Sequence, residues 1–146
     1  MLPSKYRIHA ALILIALLII FLPLFNERPD KEKAAAASAA AEAFLHLVDT
    51  DQYAKSWQIS ASLLKGKISE QEWVDQLQRT RAITGALVER TQDSISYSTS
   101  AKDSPEGEYV LITFDTTFKA KSEVSELVTV MLDKDNTWRV AGYFIK

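Results

Sequence analysis

Cysteine is absent from this chain of 146 residues, and histidine occurs only twice. Without cysteine the protein can form neither disulfide bonds nor thiolate sites, so its composition does not indicate an oxidising or a reducing compartment. His9 lies inside an apolar run and His46 lies off the apolar stripe of a predicted helix, which places neither for acid–base catalysis. Glycine is also scarce, at four residues, and no phosphate-binding loop occurs. The sequence therefore predicts no catalytic residue, metal or cofactor, and it favours a non-enzymatic role.

An excess of positive charge is also missing. The chain has 17 basic and 19 acidic side chains, a formal net charge of −2, and the acidic excess is larger within residues 34–146. Nucleic-acid binding needs a basic face that neutralises phosphates, so a nucleic-acid partner is excluded. At 47% hydrophobic and 25% charged residues, the composition is typical of a globular protein with one domain and an appendage.

The appendage is an apolar run from Ile8 to Phe25, which contains 18 residues and no charged side chain. As a helix it would be about 27 Å long, close to the hydrocarbon thickness of a bilayer. The run is longer than the apolar part of a signal peptide, and no small-x-small cleavage site follows it closely. We therefore predict an uncleaved transmembrane anchor, with a cleaved signal peptide or a buried helix of a soluble protein as the alternatives.

This anchor divides the chain into a tail and anchor, a charged linker and a folded domain, which occupy residues 1–25, 26–33 and 34–146. Lys5 and Arg7 precede the anchor, but further basic residues follow it, so charge counting alone does not fix the orientation. A short basic tail before an N-terminal anchor favours a tail inside the cell and a domain outside. The membrane is thus the first predicted partner, through Ile8–Phe25.

Helical spacing of the apolar residues predicts three helices at the start of the domain. The first begins at Ala34, and the second ends at Gly66. The third has the best-defined bounds, because Ser69 and Glu72 have the spacing of a capping box and Gly85 suits a C-terminal cap.

After Gly85 the sequence changes to runs rich in β-branched and aromatic residues, separated by turn residues. These runs predict four strands, at residues 86–100, 108–119, 126–133 and 138–145. Short separators favour an antiparallel meander. Three helices followed by four antiparallel strands predict an α+β fold, with the helices packed on one face of a curved sheet.

Several segments resemble an uncharacterised bacterial family, catalogued as domain of unknown function number four thousand and nineteen. They include Ala40–Phe44, Arg81 with Gly85 and, as the most specific piece, the string Trp138–Tyr143. The resemblance implies a cystatin-like cone, similar to nuclear transport factor two, in which a bent sheet wraps helices. It implies no established activity. Exported relatives favour the periplasmic side of a bacterial inner membrane for the domain.

Arg81 and Asp115 are the candidate residues for a ligand pocket. Arg81 shares the apolar stripe of the third helix with Trp73 and Leu77, so a buried guanidinium there needs a partner. That partner is either a structural carboxylate or aromatic ring, or an anionic ligand. Asp115 has apolar strand neighbours that would raise its pKa, but alternation places it opposite Phe114, where water would solvate it.

Strand alternation also gives the sheet a second face that is too apolar to remain open to water. We assign Leu111 and Tyr143 to this face, together with Tyr109, Met131 and Ile145. Such a patch marks a surface that binds another copy of the chain or an envelope protein, unless a bent sheet, a loop or a helix of the same chain covers it.

These features favour a membrane-anchored accessory or protein-interaction domain. The alternative is a small-molecule-binding domain, with or without enzymatic activity, that uses the space between helices and sheet. A filled interior would favour the first function, whereas a cavity lined by Arg81 or Asp115 would favour the second.

Overall fold

The computed structural model describes residues 27–100 and 104–146. Within these ranges the fold is α+β, with four helices followed by one antiparallel sheet in the order β1-β2-β3-β4. The helices are α1 Lys31–Asp49, α2 Tyr53–Gln58, α3 Ser62–Lys67 and α4 Glu70–Thr84, and the strands are β1 Leu87–Ser98, β2 Tyr109–Phe118, β3 Val124–Leu132 and β4 Trp138–Ile145. The predicted anchor lies outside the described residues, among which no helix is long and apolar enough to cross a membrane.

Helix α1 begins inside the segment that we predicted to be a linker. The side chain of Asp30 accepts a hydrogen bond of 2.8 Å from the backbone N–H of Lys33 and so caps the helix. The helix therefore begins at Lys31, three residues before the predicted start at Ala34. Just before it, the carbonyl of Glu27 accepts a hydrogen bond of 2.7 Å from the N–H of Tyr97, at the outer edge of β1. The chain from Glu27 onward is therefore attached to the domain.

Two short helices, α2 and α3, occupy the region in which we predicted one, so the prediction of three helices is wrong. The break occurs at Ala61, whose N–H donates to the carbonyl of Val140 in β4 at 2.8 Å instead of continuing a helical ladder. Helix α3 begins at the next residue, Ser62. The carboxylate of Asp133 accepts hydrogen bonds from the N–H and the hydroxyl of Ser62, at 3.1 and 2.9 Å. These partners lie more than seventy residues away in sequence, and local helix signals cannot reveal them.

Helix α4 has both predicted ends. Ser69 accepts a hydrogen bond from the N–H of Glu72 while Glu72 accepts one from the N–H of Ser69, which confirms the capping box. Gly85 ends the helix with a φ of 75°, a conformation that favours glycine. The chain can therefore turn directly from α4 into β1.

The predicted meander is confirmed, and each strand begins and ends within two residues of its predicted bounds. Neighbouring strands pair antiparallel throughout. The register shifts twice in the β1–β2 pair and once in the β3–β4 pair, between Thr129 and Val130. Each shift is a bulge with one extra residue in one strand. Beyond a bulge, the residues of that strand lie on the opposite face from the one that simple alternation predicts.

Apolar side chains fill the space between the helices and one face of the sheet. Fully buried members include Phe44 of α1, Ile112 of β2 and Val128 of β3. Burial of side chains of this size contributes about 1.5–3 kcal/mol each. A second, smaller cluster on the opposite face joins the start of α3 to the sheet, through Ala61, Tyr109, Leu111, Leu127 and Met131.

Candidate functional site

Two of the four predicted site residues lie on the helix-covered side of the sheet. Arg81 belongs to a group of largely buried charges there, and Tyr143 lies near this group. We call this group the charge cluster, and its members are Asp49, Arg81, Arg90 and Glu126. It joins the last residue of α1 to α4, β1 and β3.

Asp49 lies between the two arginines of the charge cluster. Its carboxylate accepts a hydrogen bond of 2.8 Å from Arg81 Nη2 and two, of 2.6 and 3.0 Å, from Arg90 Nη1 and Nη2. Charge-assisted hydrogen bonds of this length are among the stronger polar contacts in proteins. The end of α1 is therefore held to both α4 and the first strand.

Arg90 also binds Glu126, through Nε to Oε2 at 3.0 Å and Nη2 to Oε1 at 2.9 Å. The side chain of Glu126 has no exposure to solvent, so its charge depends on this partner. Burial alone would lower the pKa of Arg90, but the hydrogen bonds to Asp49 and Glu126 raise it above its usual range. Arg90 therefore stays charged at every pH at which the protein is folded.

Arg81 and Tyr143 contribute polar atoms that protein groups leave unpaired. Arg81 places its guanidinium 4.6 Å from the ring centroid of Phe118, a cation–π contact, but its Nη1 and the hydroxyl of Tyr143 are buried without a hydrogen-bond partner. Burial, and next the nearby carboxylate of Glu126, raise the pKa of Tyr143. Its phenol is thus held in the neutral form.

The charge cluster is internally neutral, since two guanidinium groups face two carboxylates. For Arg81, both protein partners that we considered from sequence occur, a carboxylate in Asp49 and an aromatic ring in Phe118. The arrangement ties helices to strands, and it supplies no free carboxylate or imidazole as a general base. Within residues 27–100 and 104–146, no group of His, Asp and Glu side chains could hold a metal ion.

Our placement of Tyr143 on the second face is wrong. The bulge between Thr129 and Val130 pairs Thr129 with Gly142 and Val130 with Val140, so one residue of β4 is passed over. Tyr143 therefore lies opposite Val128 on the helix-covered face. Its ring packs edge-on against Phe44 of α1, with centroids 5.5 Å apart.

Leu111 lies on the second face, as its strand parity predicts, but it is only 5% exposed. Tyr109 and Met131 are buried beside it, and Ala61 joins the same cluster. The alternative that this chain covers the patch is therefore correct, and these residues do not form an open docking surface. Asp115 is exposed on the same face, away from the charge cluster.

An open groove lies at the β4 edge of the sheet, between α1, the end of α2 and the beginning of β4. Its volume is about 430 Å³. Its lining is mainly apolar and comprises Ala40, Ala43, Phe44, Ile59, Trp138 and Val140, with Gln58, Thr137 and Arg139 as its polar members. We call this feature the groove.

One rim of the groove carries several paired charges. Arg139 donates to both carboxylate oxygens of Asp135, at 2.6 and 2.8 Å, and contacts Asp133 at 3.4 Å. The hydrogen bond from Arg139 lowers the pKa of Asp135 to about 2. Lys134 is exposed between the two aspartates, so the rim carries two carboxylates and two cationic groups, and its formal charges balance.

Sequence reasoning missed Asp49 and Glu126. Asp49 had been interpreted only as part of a helix-ending segment. Glu126 carried a usable signal, because it stands two residues from Val124 and Val128 on the apolar side of β3, where a carboxylate requires a buried partner. The groove had no local signal, since its residues come from three separate segments.

A family model described as Protein of unknown function (DUF4019) matches residues 40–143. The match covers the second half of α1, the other three helices and the sheet as far as Tyr143, so it includes the charge cluster and the groove. The resemblance noted from sequence is thereby confirmed. No curated protein and no solved structure matches the chain.

Proposed function

Because the chain belongs to the family of proteins of unknown function DUF4019, we propose a function from its surfaces: it is a membrane-anchored accessory domain that binds another protein through the groove. The folded part lies on the periplasmic side of a bacterial inner membrane. The apolar run Ile8–Phe25 supports the anchor, and its short basic tail supports the orientation.

The observation that carries this proposal is the contrast between the interior and the groove. Between the helices and the sheet, large side chains such as Phe44, Ile112 and Val128 are fully buried, and the arginines bind carboxylates of the protein. In the groove, by contrast, Ile59 is 42% exposed beside Trp138. Exposed aliphatic and aromatic surface of this kind is typical of protein-binding sites.

The attachment of Glu27 to β1 supports a domain held close to the bilayer. Only Asn26 separates Glu27 from the predicted end of the anchor at Phe25. A domain on so short a tether meets partners in the same membrane at a high effective concentration, so a weak interface suffices.

Site-specific photo-crosslinking tests the proposal. A photoreactive amino acid replaces Ile59 in the full chain in membranes, and crosslinked proteins are identified by mass spectrometry. We expect one recurrent protein, which should be absent when the same group replaces Ser94, an exposed residue of β1. Equal labelling from both positions, or none from position 59 in a folded domain, would remove the support for a protein-binding groove.

A small apolar molecule is the second candidate occupant, because about 430 Å³ is within the range of small-ligand pockets. Native mass spectrometry of the purified full chain distinguishes this function. A bound small molecule that is lost when Ala43 is replaced by Leu, which fills the groove, would favour it over protein binding.

A further inference from the structure

The chain enters the fold at one end of the sheet. The carbonyl of Glu27 accepts a hydrogen bond of 2.7 Å from the N–H of Tyr97, and the two residues form an antiparallel bridge. Because the pairing is antiparallel, the chain at Glu27 runs from the side of Ser98, where β1 ends, toward the beginning of β1. The beginnings of β2 and β4 and the end of β3 lie at this same end of the sheet. We call it the entry end.

Helix α1 spans the domain from the entry end to the opposite end. Near its beginning, Lys33 forms a salt bridge with Glu108, which also accepts a hydrogen bond of 2.7 Å from the hydroxyl of Tyr97. Its last residue, Asp49, binds Arg90, near the beginning of β1. The helix rises about 24 Å between Lys33 and Asp49, and β1 extends about 23 Å between Arg90 and Tyr97. The agreement indicates that α1 lies nearly along the strands, antiparallel to β1.

The predicted anchor ends within a short reach of the entry end. Only Asn26 separates Glu27 from Phe25, and two residues of extended chain span at most about 7 Å. Along β2, the sheet extends about 27 Å from Val110, which pairs with Tyr97, to the opposite end. A tether of this length holds the entry end beside the bilayer, whereas the opposite end lies beyond its reach.

We propose that the domain stands on the bilayer with its entry end against the lipid headgroups and its strands directed away from the membrane. The direction of the chain at Glu27 favours this orientation over one in which the outer edge of β1 lies on the lipid. The facing surface includes the exposed turn of residues 134–136, which joins β3 to β4 at the entry end. This inference rests on the proposed function, because it requires the anchor.

The tether, and not charge, accounts for the orientation. Lys31 and Lys134 are exposed at the entry end, but so are Glu32 and Asp135. Attraction to anionic lipid needs a cluster of basic residues, which this mixture of signs does not provide. The orientation also places the two features of the site at different heights. The groove, lined by residues 137–140, opens near the bilayer, and the charge cluster lies farther from it.

Fluorescence quenching from the lipid surface tests the orientation. The chain lacks cysteine, so a single cysteine can carry a fluorophore in each of three variants: Lys134→Cys at the entry end, Ser94→Cys in the middle of β1 and Ser122→Cys at the opposite end. All three positions are exposed, so the substitutions should leave the fold intact. The full chains are reconstituted in vesicles of phosphatidylethanolamine and phosphatidylglycerol that carry a quencher on the lipid headgroup. We expect quenching to be strongest at position 134, weaker at 94 and lost at 122.

A longer tether is the matched control. Insertion of about twelve Gly and Ser residues between Asn26 and Glu27 adds a mean reach of about 20 Å, and should remove the differences among the three positions. Without this spacer, equal quenching at all three positions, or the strongest quenching at position 94, would overturn the orientation and leave the anchor standing. A chain that does not float with the vesicles would overturn the anchor, and with it both the proposed function and this inference.

Discussion

Arg90 of β1 forms two hydrogen bonds with Glu126 of β3 across the intervening strand, where Thr116 lies beside Arg90 in the register. The carboxylate of Glu126 is fully buried, and removing such a group from water costs several kcal/mol. The two hydrogen bonds from the guanidinium of Arg90 offset this cost. The contact therefore links the first and third strands directly, in addition to their ladders with β2.

Replacement of Arg90 by Met should strongly destabilise the domain, because it leaves the charge of Glu126 buried without a partner. We expect the free energy of unfolding to fall by about 3–5 kcal/mol. The double variant Arg90→Met with Glu126→Leu should regain part of this loss, since it removes the isolated charge as well.

Urea denaturation followed by circular dichroism measures both effects. Arg79→Met, an exposed arginine of α4, is the matched control and should change stability by no more than about 0.5 kcal/mol. A double variant as unstable as the sum of its single changes would show that Arg90 and Glu126 are not energetically coupled.

Stability should also fall at alkaline pH. Tyr53 is one source of this loss, and Tyr143, whose pKa is also raised, contributes a loss of the same sign. Burial, and then the hydrogen bond of 2.7 Å that its hydroxyl donates to Asp51, raise the pKa of Tyr53 from 10.0 to about 12. A group whose pKa is raised in the folded state contributes stability that is complete below its unfolded pKa and is lost as pH rises through the folded one. The loss should therefore occur between about pH 10 and pH 12. Lys33 adds a change of the same sign, since its hydrogen bonds with Glu108 and then Tyr97 raise its pKa to about 12.

The urea midpoint as a function of pH measures this loss, and Tyr53→Phe identifies its source. The variant should start less stable at neutral pH, because it lacks the hydrogen bond to Asp51, but its midpoint should decline less steeply through the alkaline range. Parallel curves for the two proteins would assign the alkaline loss to other groups.

Local signals predicted the elements of this fold well, because their causes are local. The capping box of Ser69 and Glu72, the glycine at position 85 and the alternation within β2 each depend on residues close in sequence. The division of α2 from α3 depends instead on Val140 and Asp133, which are distant in sequence and contact Ala61 and Ser62 only in the folded protein.

The site was less predictable, for two physical reasons. Alternation assigned Tyr143 to the wrong face because a bulge inserts one residue into β4. The sequence around Gly142 contains no signal that predicts this bulge. Arg81 was correctly expected to need a partner, but the choice of Asp49 depends on how α1 crosses α4. Glu126 was the one residue that alternation alone could have identified, as a charge among buried valines.

The capping box itself should be measurable. Ser69→Ala removes the hydroxyl that accepts from the N–H of Glu72 at 3.3 Å, and should lower the free energy of unfolding by about 0.5–2 kcal/mol. Ser122→Ala, in the exposed turn before β3, is the control. Thermal or urea unfolding that cannot separate the two variants would mean that the first turn of α4 is stabilised by packing alone.

Alanine at two glycines should change stability in opposite directions. Gly85 has a φ of 75° and a ψ of −169°, a region that residues with a Cβ avoid, and an added Cβ would lie 3.3 Å from the backbone nitrogen of Ala120. Gly85→Ala should therefore destabilise the domain by about 1–3 kcal/mol.

Gly66 lies in α3 with no atom within 4 Å of the position that a Cβ would take. Gly66→Ala should therefore stabilise the domain by about 0.5–1 kcal/mol, because alanine loses less backbone entropy in a helix. Urea unfolding of both variants beside the parent protein measures the two changes. The comparison is informative because the chemical change is identical and only the backbone conformation and the surrounding space differ. If both variants are destabilised alike, the turn at Gly85 is not the special conformation that allows α4 to lead directly into β1.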